Sequence, residues 1–180
     1  LGNGASITAV KGGKCINTSM GFTPLGGIMM GGRCGDIDPS VICYIMDKKG
    51  ISAKEMDTIL NKKSGMLGVS GISSDARDIE DAVAAGNQRA ILTQQVYVNR
   101  VINVVGGYVM QMGGVDAIAF TAGLGENDTH LRHMILEKME EFLGLSIDYQ
   151  LNAKTRCKEL CVSRPARQLQ ASLVPTHDPL

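Results

Sequence analysis

The sequence predicts an α/β domain, on three observations made within one stretch. Tyr97, Val98, Val101, Ile102, Val105, Tyr108, Val109 and Met112 recur at three- and four-residue steps, the mark of a long helix with one apolar stripe. Gly113-Gly114 stops that helix, and Val115 to Thr121 follows as a short apolar strand, expected to be buried on both faces. Gly123-Leu124-Gly125 then turns the chain. Asn127 or Asp128 caps a helix from Thr129 to Leu143, with Leu131, Met134, Ile135, Met139, Phe142 and Leu143 on its inner face. Helix, buried strand, glycine turn and capped helix together are α/β architecture.

The elements before this stretch follow from local signals. Ala5 to Val10 and Cys15 to Thr18 flank the turn Lys11-Gly12-Gly13-Lys14 and read as a β-hairpin. Met20 to Asp38 is loop-like and rich in glycine. Asp38 caps a helix with proline at its first turn, lysines in its last and Gly50 after Lys49. Ser52 caps a second helix through Asn61, and Ser74 or Asp75 begins a third that ends near Gly86. Ser163 to Leu180, with Pro165, Pro175 and Pro179, carries no assignable element, and no internal repeat is present.

Bulk composition narrows the function classes. The 180 residues suffice for one domain with a core. Lysine plus arginine equals aspartate plus glutamate at 18 each, which gives no electrostatic reason for a nucleic-acid partner or an anionic membrane. No apolar stretch reaches spanning length, and no secretory segment stands at the start, so the cytosol is the expected compartment. The chain opens on Leu1 without a methionine, which reads as a fragment or processed product. Cys15, Cys34, Cys43, Cys157 and Cys161 lack metal or redox spacing and read as reduced thiols, with Cys157 and Cys161 spaced to face each other on a helix.

Four segments carry residues suited to phosphate chemistry. In VDAIAFTAGLGEN (Val115 to Asn127) a strand leads through glycines into a helix N-terminus, where bare amides and the helix dipole favour a phosphate. The spacing is not GxGxxG, since Asp128 stands at the third glycine, and a tight strand–helix turn explains it equally well. Leu1-Gly2-Asn3-Gly4 is an Asn-Gly turn that also suits a β- or γ-phosphate. Thr18 to Pro39 is a long glycine- and methionine-rich loop, hard to explain as packing, that carries Arg33. That arginine either neutralises charge on a transferring phosphoryl group or pairs with Asp36 or Asp38 in a structural turn. Ser73-Ser74-Asp75-Ala76-Arg77-Asp78, read alone, is a helix cap with surface charges.

LGNGAS, TSMGFTPL, MMGGRCGDIDP, SSDARD and FTAGLGEN stand in one order with gaps that resemble the acetate kinases, from Leu1 to about Thr155. The resemblance implies a ribonuclease-H-like fold of the actin and sugar-kinase class, with a mixed β-sheet flanked by helices. It implies reversible transfer of the γ-phosphoryl group of ATP to acetate, giving acetyl phosphate and ADP, in a Mg²⁺-dependent cytoplasmic homodimer. Propionate and butyrate kinases share the pattern. The resemblance assigns the transition-state arginine to Arg33 and phosphate contacts to Leu1, Gly2, Asn3 and Gly4. It assigns adenosine contacts to Asp75, Ala76 and Arg77, and a second nucleotide loop to Gly123, Leu124, Gly125, Glu126 and Asn127. It reads residues 1–180 as the C-terminal, ATP-binding domain, without the N-terminal domain that carries the acyl pocket and with a divergent tail over 163–180. Left alone, such a domain is expected to bind nucleotide better than it catalyses, or to act only as a binding or dimerisation module.

Three departures from the family pattern matter. Gly26 stands where glutamate is usual, and the lost carboxylate is expected to loosen the Arg33 loop. Cys34 stands where serine is usual. In the tail, Asp178 stands at the position of a Mg²⁺-binding glutamate, with one methylene less reach.

Overall fold

The computed structural model describes residues 1–164 and 169–176. A hairpin comes first: strands β1 (Thr8–Lys11) and β2 (Lys14–Thr18) pair antiparallel, with the register shifting between Ala9 and Val10. Gly12 and Gly13 both adopt positive φ, which the two-residue turn demands. The second sheet has the order β3-β5-β4, built from β3 (Ala117–Phe120), β4 (Leu160–Cys161) and β5 (Gln170–Leu173). β3 and β5 run parallel, whereas β4 and β5 run antiparallel. The sheet is therefore mixed, as expected, and one of its three strands, β5, lies in the tail beyond Ser163, where sequence patterning shows no element.

Helix signals were reliable where a side-chain cap exists. Helix α1 (Pro39–Lys49) is capped by Asp38, whose carboxylate accepts from the Ser40 amide, and ends at left-handed Gly50. α2 (Ala53–Lys62) has a full capping box, Ser52 with Glu55. α4 (Ala76–Ala84) is capped by Asp75, and α7 (Thr129–Leu143) by Asp128. α5 (Gln88–Met112) begins earlier than its apolar stripe suggests, because Asn87 accepts from the amides of Arg89 and Ala90. At 25 residues it spans about 37 Å. Two short helices carried no sequence signal: α3 (Gly65–Ser70) and α8 (Tyr149–Lys154).

The core joins α5, α7 and the second sheet through Tyr97, Val98, Val101, Phe120, Leu131, Ile135, Leu136, Met139 and Leu173. The structure departs from five expectations. β3 is not buried on both faces: Ala117 and Ala119 are exposed, and among the described residues it pairs on one side only. Its open edge and β1 face an apolar cavity of about 300 Å³ floored by α5. Phe142 is not on the inner face of α7 but 74% exposed. The Gly123 region is not a turn but a short helix, α6 (Ala122–Asn127), and the left-handed residue at its start is Ala122 at φ 62°. The Met20–Asp38 loop is packing after all, since Ile28, Met29 and Met30 are fully core residues. Cys157 and Cys161 do not share a helix; Cys157 follows α8 and Cys161 lies in β4, and all five cysteines are free thiols.

Candidate functional site

Backbone hydrogen bonds bring the sequence motifs together. The Gly31 amide donates to the Asn3 carbonyl at 3.0 Å. A β-carbon on Gly31 would collide with Asn3 Oδ1 and with the Ser74 carbonyl, so only glycine lets these three segments meet. On the other side, the Gly125 amide donates to the Leu1 carbonyl at 2.9 Å, and the Leu1 nitrogen donates to the Thr121 carbonyl at 2.7 Å. A β-carbon on Gly2 would stand 4.0 Å from the Gly123 nitrogen.

The Arg33 loop is held by the start of α3. The Met66 amide donates to the Met30 carbonyl, Leu67 to Gly31, and Ser64 to Gly32, at 2.8 to 3.0 Å. Gly65 takes φ 61°, and a β-carbon there would run into the carbonyls of Met30, Arg33 and Gly31, leaving no room for a side chain. Beside Gly26, the backbone is held by another carboxylate: Asp36 Oδ1 accepts from the Gly27 amide at 2.8 Å. Asp36 and Asp38 are both engaged with backbone amides, and neither pairs with Arg33. The Arg33 guanidinium lies against Gly4, 3.3 Å from the place of a β-carbon there. It donates to the Pro24 carbonyl at 3.2 Å and contacts Met30 Sδ at 3.5 Å. Among the described residues it has no carboxylate partner.

These junctions enclose a cavity of about 750 Å³, within the range of small-ligand pockets. Gly2, Asn3, Asp75, Ala76, Arg77, Gly123, Leu124 and Asn127 line it, eight of the residues the sequence singled out. Leu1, Gly4, Gly125, Glu126 and Arg33 do not. Leu1 faces the apolar cavity. Gly125 packs against Phe120. Glu126 is buried, with its carboxylate accepting from the amide and hydroxyl of Thr176 at 3.0 and 3.1 Å. Asp178 lies outside the described residues. Asp75 accepts from the guanidinium and amide of Arg77, and the arginine's hydrogen bonds pull its carboxyl down to about 2.

Gly31, Ser74 and Asp128, which the motifs include or which the sequence offers as a cap, also line the cavity, and so do Met66, Glu80 and Arg156, which carry no sequence signal. Sequence reasoning also missed Arg132, 1% exposed, on the inner face of α7. That guanidinium donates to the Gly125 carbonyl, to Asn152 Oδ1, and to the carbonyls of Asn152 and Thr155, at 2.7 to 3.2 Å. It ties α6 to the turn after α8. A charge at one position of an otherwise apolar stripe was the available signal.

Two predictions arise from this geometry. Gly123 has open space where its β-carbon would stand and borders the cavity. Gly123→Val is therefore expected to preserve folding and to weaken any ligand of this cavity at least tenfold. An unchanged dissociation constant in a folded variant would contradict that placement. Asp128 caps α7 through the Leu131 amide, and burial pushes its carboxyl up, against the opposing effect of that amide. A raised acid contributes stability below its ordinary pKa, and that contribution is lost as pH rises through the raised value. Asp128→Asn keeps a capping oxygen. It should match or exceed the parent in urea stability at pH 7 and lose any advantage below the ordinary carboxylate range. A deficit confined to pH 7 would be the opposite result.

Comparison with known proteins identifies the lineage. The model of the acetokinase family matches residues 1–180. The chain belongs to the acetokinase family. It is 51% identical over 180 residues to an acetate kinase of Methanosarcina barkeri, and 54% identical to one of Geobacillus kaustophilus. Both alignments cover this whole acetokinase chain but only 44% and 45% of the relative, so the chain spans less than half the length of the curated relatives it matches. The crystal structure of a Porphyromonas gingivalis acetate kinase superposes with a TM-score of 0.93 at 46% identity, covering 97% of this chain and 44% of that one. A propionate kinase from Francisella tularensis superposes at 0.90 and 40% identity, covering 98% and 44%. The fold is that of the acetokinases, ribonuclease-H-like and of the actin and sugar-kinase class, as the motifs imply. No described helix is long and apolar enough to cross a membrane.

Proposed function

We propose that this chain is the C-terminal, nucleotide-binding part of an acetate kinase. The observation that carries the reading is the meeting of four separate segments, three of them glycine-bearing, around one cavity, with Arg33 held beside Gly4 and without a carboxylate partner among the described residues. In this reading the amides and side chains of residues 2–4 and 123 take the phosphates, and Asp75, Ala76 and Arg77 take the adenosine. Arg33 reaches the terminal phosphoryl group. An acetate oxygen attacks the γ-phosphorus, the bond to the β-phosphate bridging oxygen breaks, and ADP leaves. Such a transfer needs alignment and charge neutralisation more than covalent help, which suits a guanidinium fixed by a tightly bonded loop.

Magnesium fits this reading as an ion carried on the nucleotide, which needs only one or two carboxylates from protein. The described residues contain no cluster of three metal-ligating side chains. Bound there, the ion would neutralise β- and γ-phosphate charge. The acetate pocket, a homodimeric assembly and a cytoplasmic setting belong to the same proposal. Exposed Val41 and Tyr44 on α1, which buries none of its residues, offer a face for the second copy.

Trapping acyl phosphate as the hydroxamate tests the reaction in the complete enzyme, with ATP, Mg²⁺ and either acetate or propionate. Acetyl hydroxamate in excess is the expected product. A preference for propionate would move the assignment to the propionate kinases, and no product with either acid would remove the phosphotransfer reading.

A further inference from the structure

The turn after α8 carries an arginine that belongs to none of the sequence motifs. Arg156 lines the same cavity, between residues fixed on both sides. Before it, the Thr155 carbonyl accepts from Arg132 Nη2 at 2.7 Å, and the Thr155 hydroxyl donates to the Leu151 carbonyl at 2.7 Å. After it, Cys157 is held at φ 46°, a left-handed conformation that costs a residue with a β-carbon about 1–2 kcal/mol. The Cys157 thiol donates to Asn127 Oδ1 at 2.9 Å, which ties the turn to α6. Backbone strain maintained by its surroundings clusters at ligand-binding sites. Arg156 stands next to the strained residue and lines the cavity.

Its place along the cavity is defined by the two walls. Along α4 the lining runs from Ala76 to Glu80, one turn away from the junction of Ser74, Gly31 and Asn3. Along α6 it runs from Gly123, beside Gly2, to Asn127 and Asp128. Arg156 stands with Glu80 and Asp128, at the end away from Asn3 and Arg33. Two carboxylates flank it there, and they would repel a phosphate. Arg156 meets Glu80 at 3.9 Å, its only ion pair among the described residues, with the side chains 55% and 35% exposed. A pair this long and this wet holds little energy, so a ligand opens it at small cost.

We propose that Arg156 is a nucleoside contact that leaves Glu80 to lie flat on the base. The inference rests on the nucleotide reading and extends it. A guanidinium is planar and stacks on aromatic rings, which an ammonium does not do. The base is flat and uncharged, and the carboxylates that exclude phosphate do not exclude it.

The test compares ATP with inorganic tripolyphosphate, by calorimetry on the 180-residue chain. Arg156→Ala is expected to weaken ATP about tenfold and to leave tripolyphosphate unchanged. Arg156→Lys should recover little, since it restores charge without the plane. The thermal midpoint should not move, because the side chain is largely in solvent. Unchanged ATP affinity, equal weakening of both ligands, full recovery by lysine, or early melting with loss of both would each overturn the proposal. A parent chain that binds tripolyphosphate but not ATP would also overturn it. A parent chain that binds neither overturns the nucleotide reading itself, and this inference with it.

Discussion

Arg33→Ala in the complete enzyme is expected to lower kcat by about a thousandfold or more, while ATP affinity changes only a few fold. The guanidinium makes one backbone hydrogen bond, to the Pro24 carbonyl, and touches Met30 Sδ. It is not needed to neutralise Asp36 or Asp38, which cap backbone amides instead. It does not line the cavity, but Gly4 beside it continues the segment that does. A cation so placed adds little to binding the resting nucleotide. Its charge counts when negative charge develops on the phosphoryl oxygens. The loop bonds from Ser64, Met66 and Leu67 should survive the substitution, so stability should hold. Equal losses in ATP binding and in turnover would make Arg33 a ground-state contact.

Arg132→Ala is expected to cost about 3–5 kcal/mol of unfolding free energy, since it strips buried carbonyls of their donor. The carbonyls of Gly125 and Thr155 lose a partner, and Asn152 loses two contacts. No carboxylate lies within ion-pair distance among the described residues, so the cation is satisfied by oxygen dipoles alone. Arg132→Lys should recover only part, because an ammonium cannot span α6 and the turn after α8 together. Denaturant unfolding measures both. A loss below about 1 kcal/mol for the alanine variant would mean that the fork of hydrogen bonds is not what fixes α6.

What could be read from the sequence was local. Asp38, Ser52, Asp75 and Asp128 each announce a helix through a bond spanning a few residues, and each caps as expected. The stripe on α5 reports its buried face. What could not be read depends on distant partners. The first amides of α3 bond to carbonyls at Met30 and Gly31, which no pattern within GMLGVS reveals. β5 is defined by parallel pairing to β3 across some fifty residues. The methionines at 29 and 30 looked like loop residues because glycines surround them, yet they are core. The cavity repeats the division. Asn3, Asp75 and Gly123 stand in recognisable motifs, whereas Glu80, Arg132 and Arg156 acquire their places only when α4, α6 and α8 come together.

Backbone amide shifts on addition of Mg²⁺–ADP test the central claim most directly. Perturbations are expected to concentrate at residues 2–4, 31, 74–77 and 123–127, around the larger cavity. Shifts gathered instead at Thr8, Val105, Tyr108 and Ala117 to Phe120, around the apolar cavity, would contradict it, as would no shifts at saturating nucleotide.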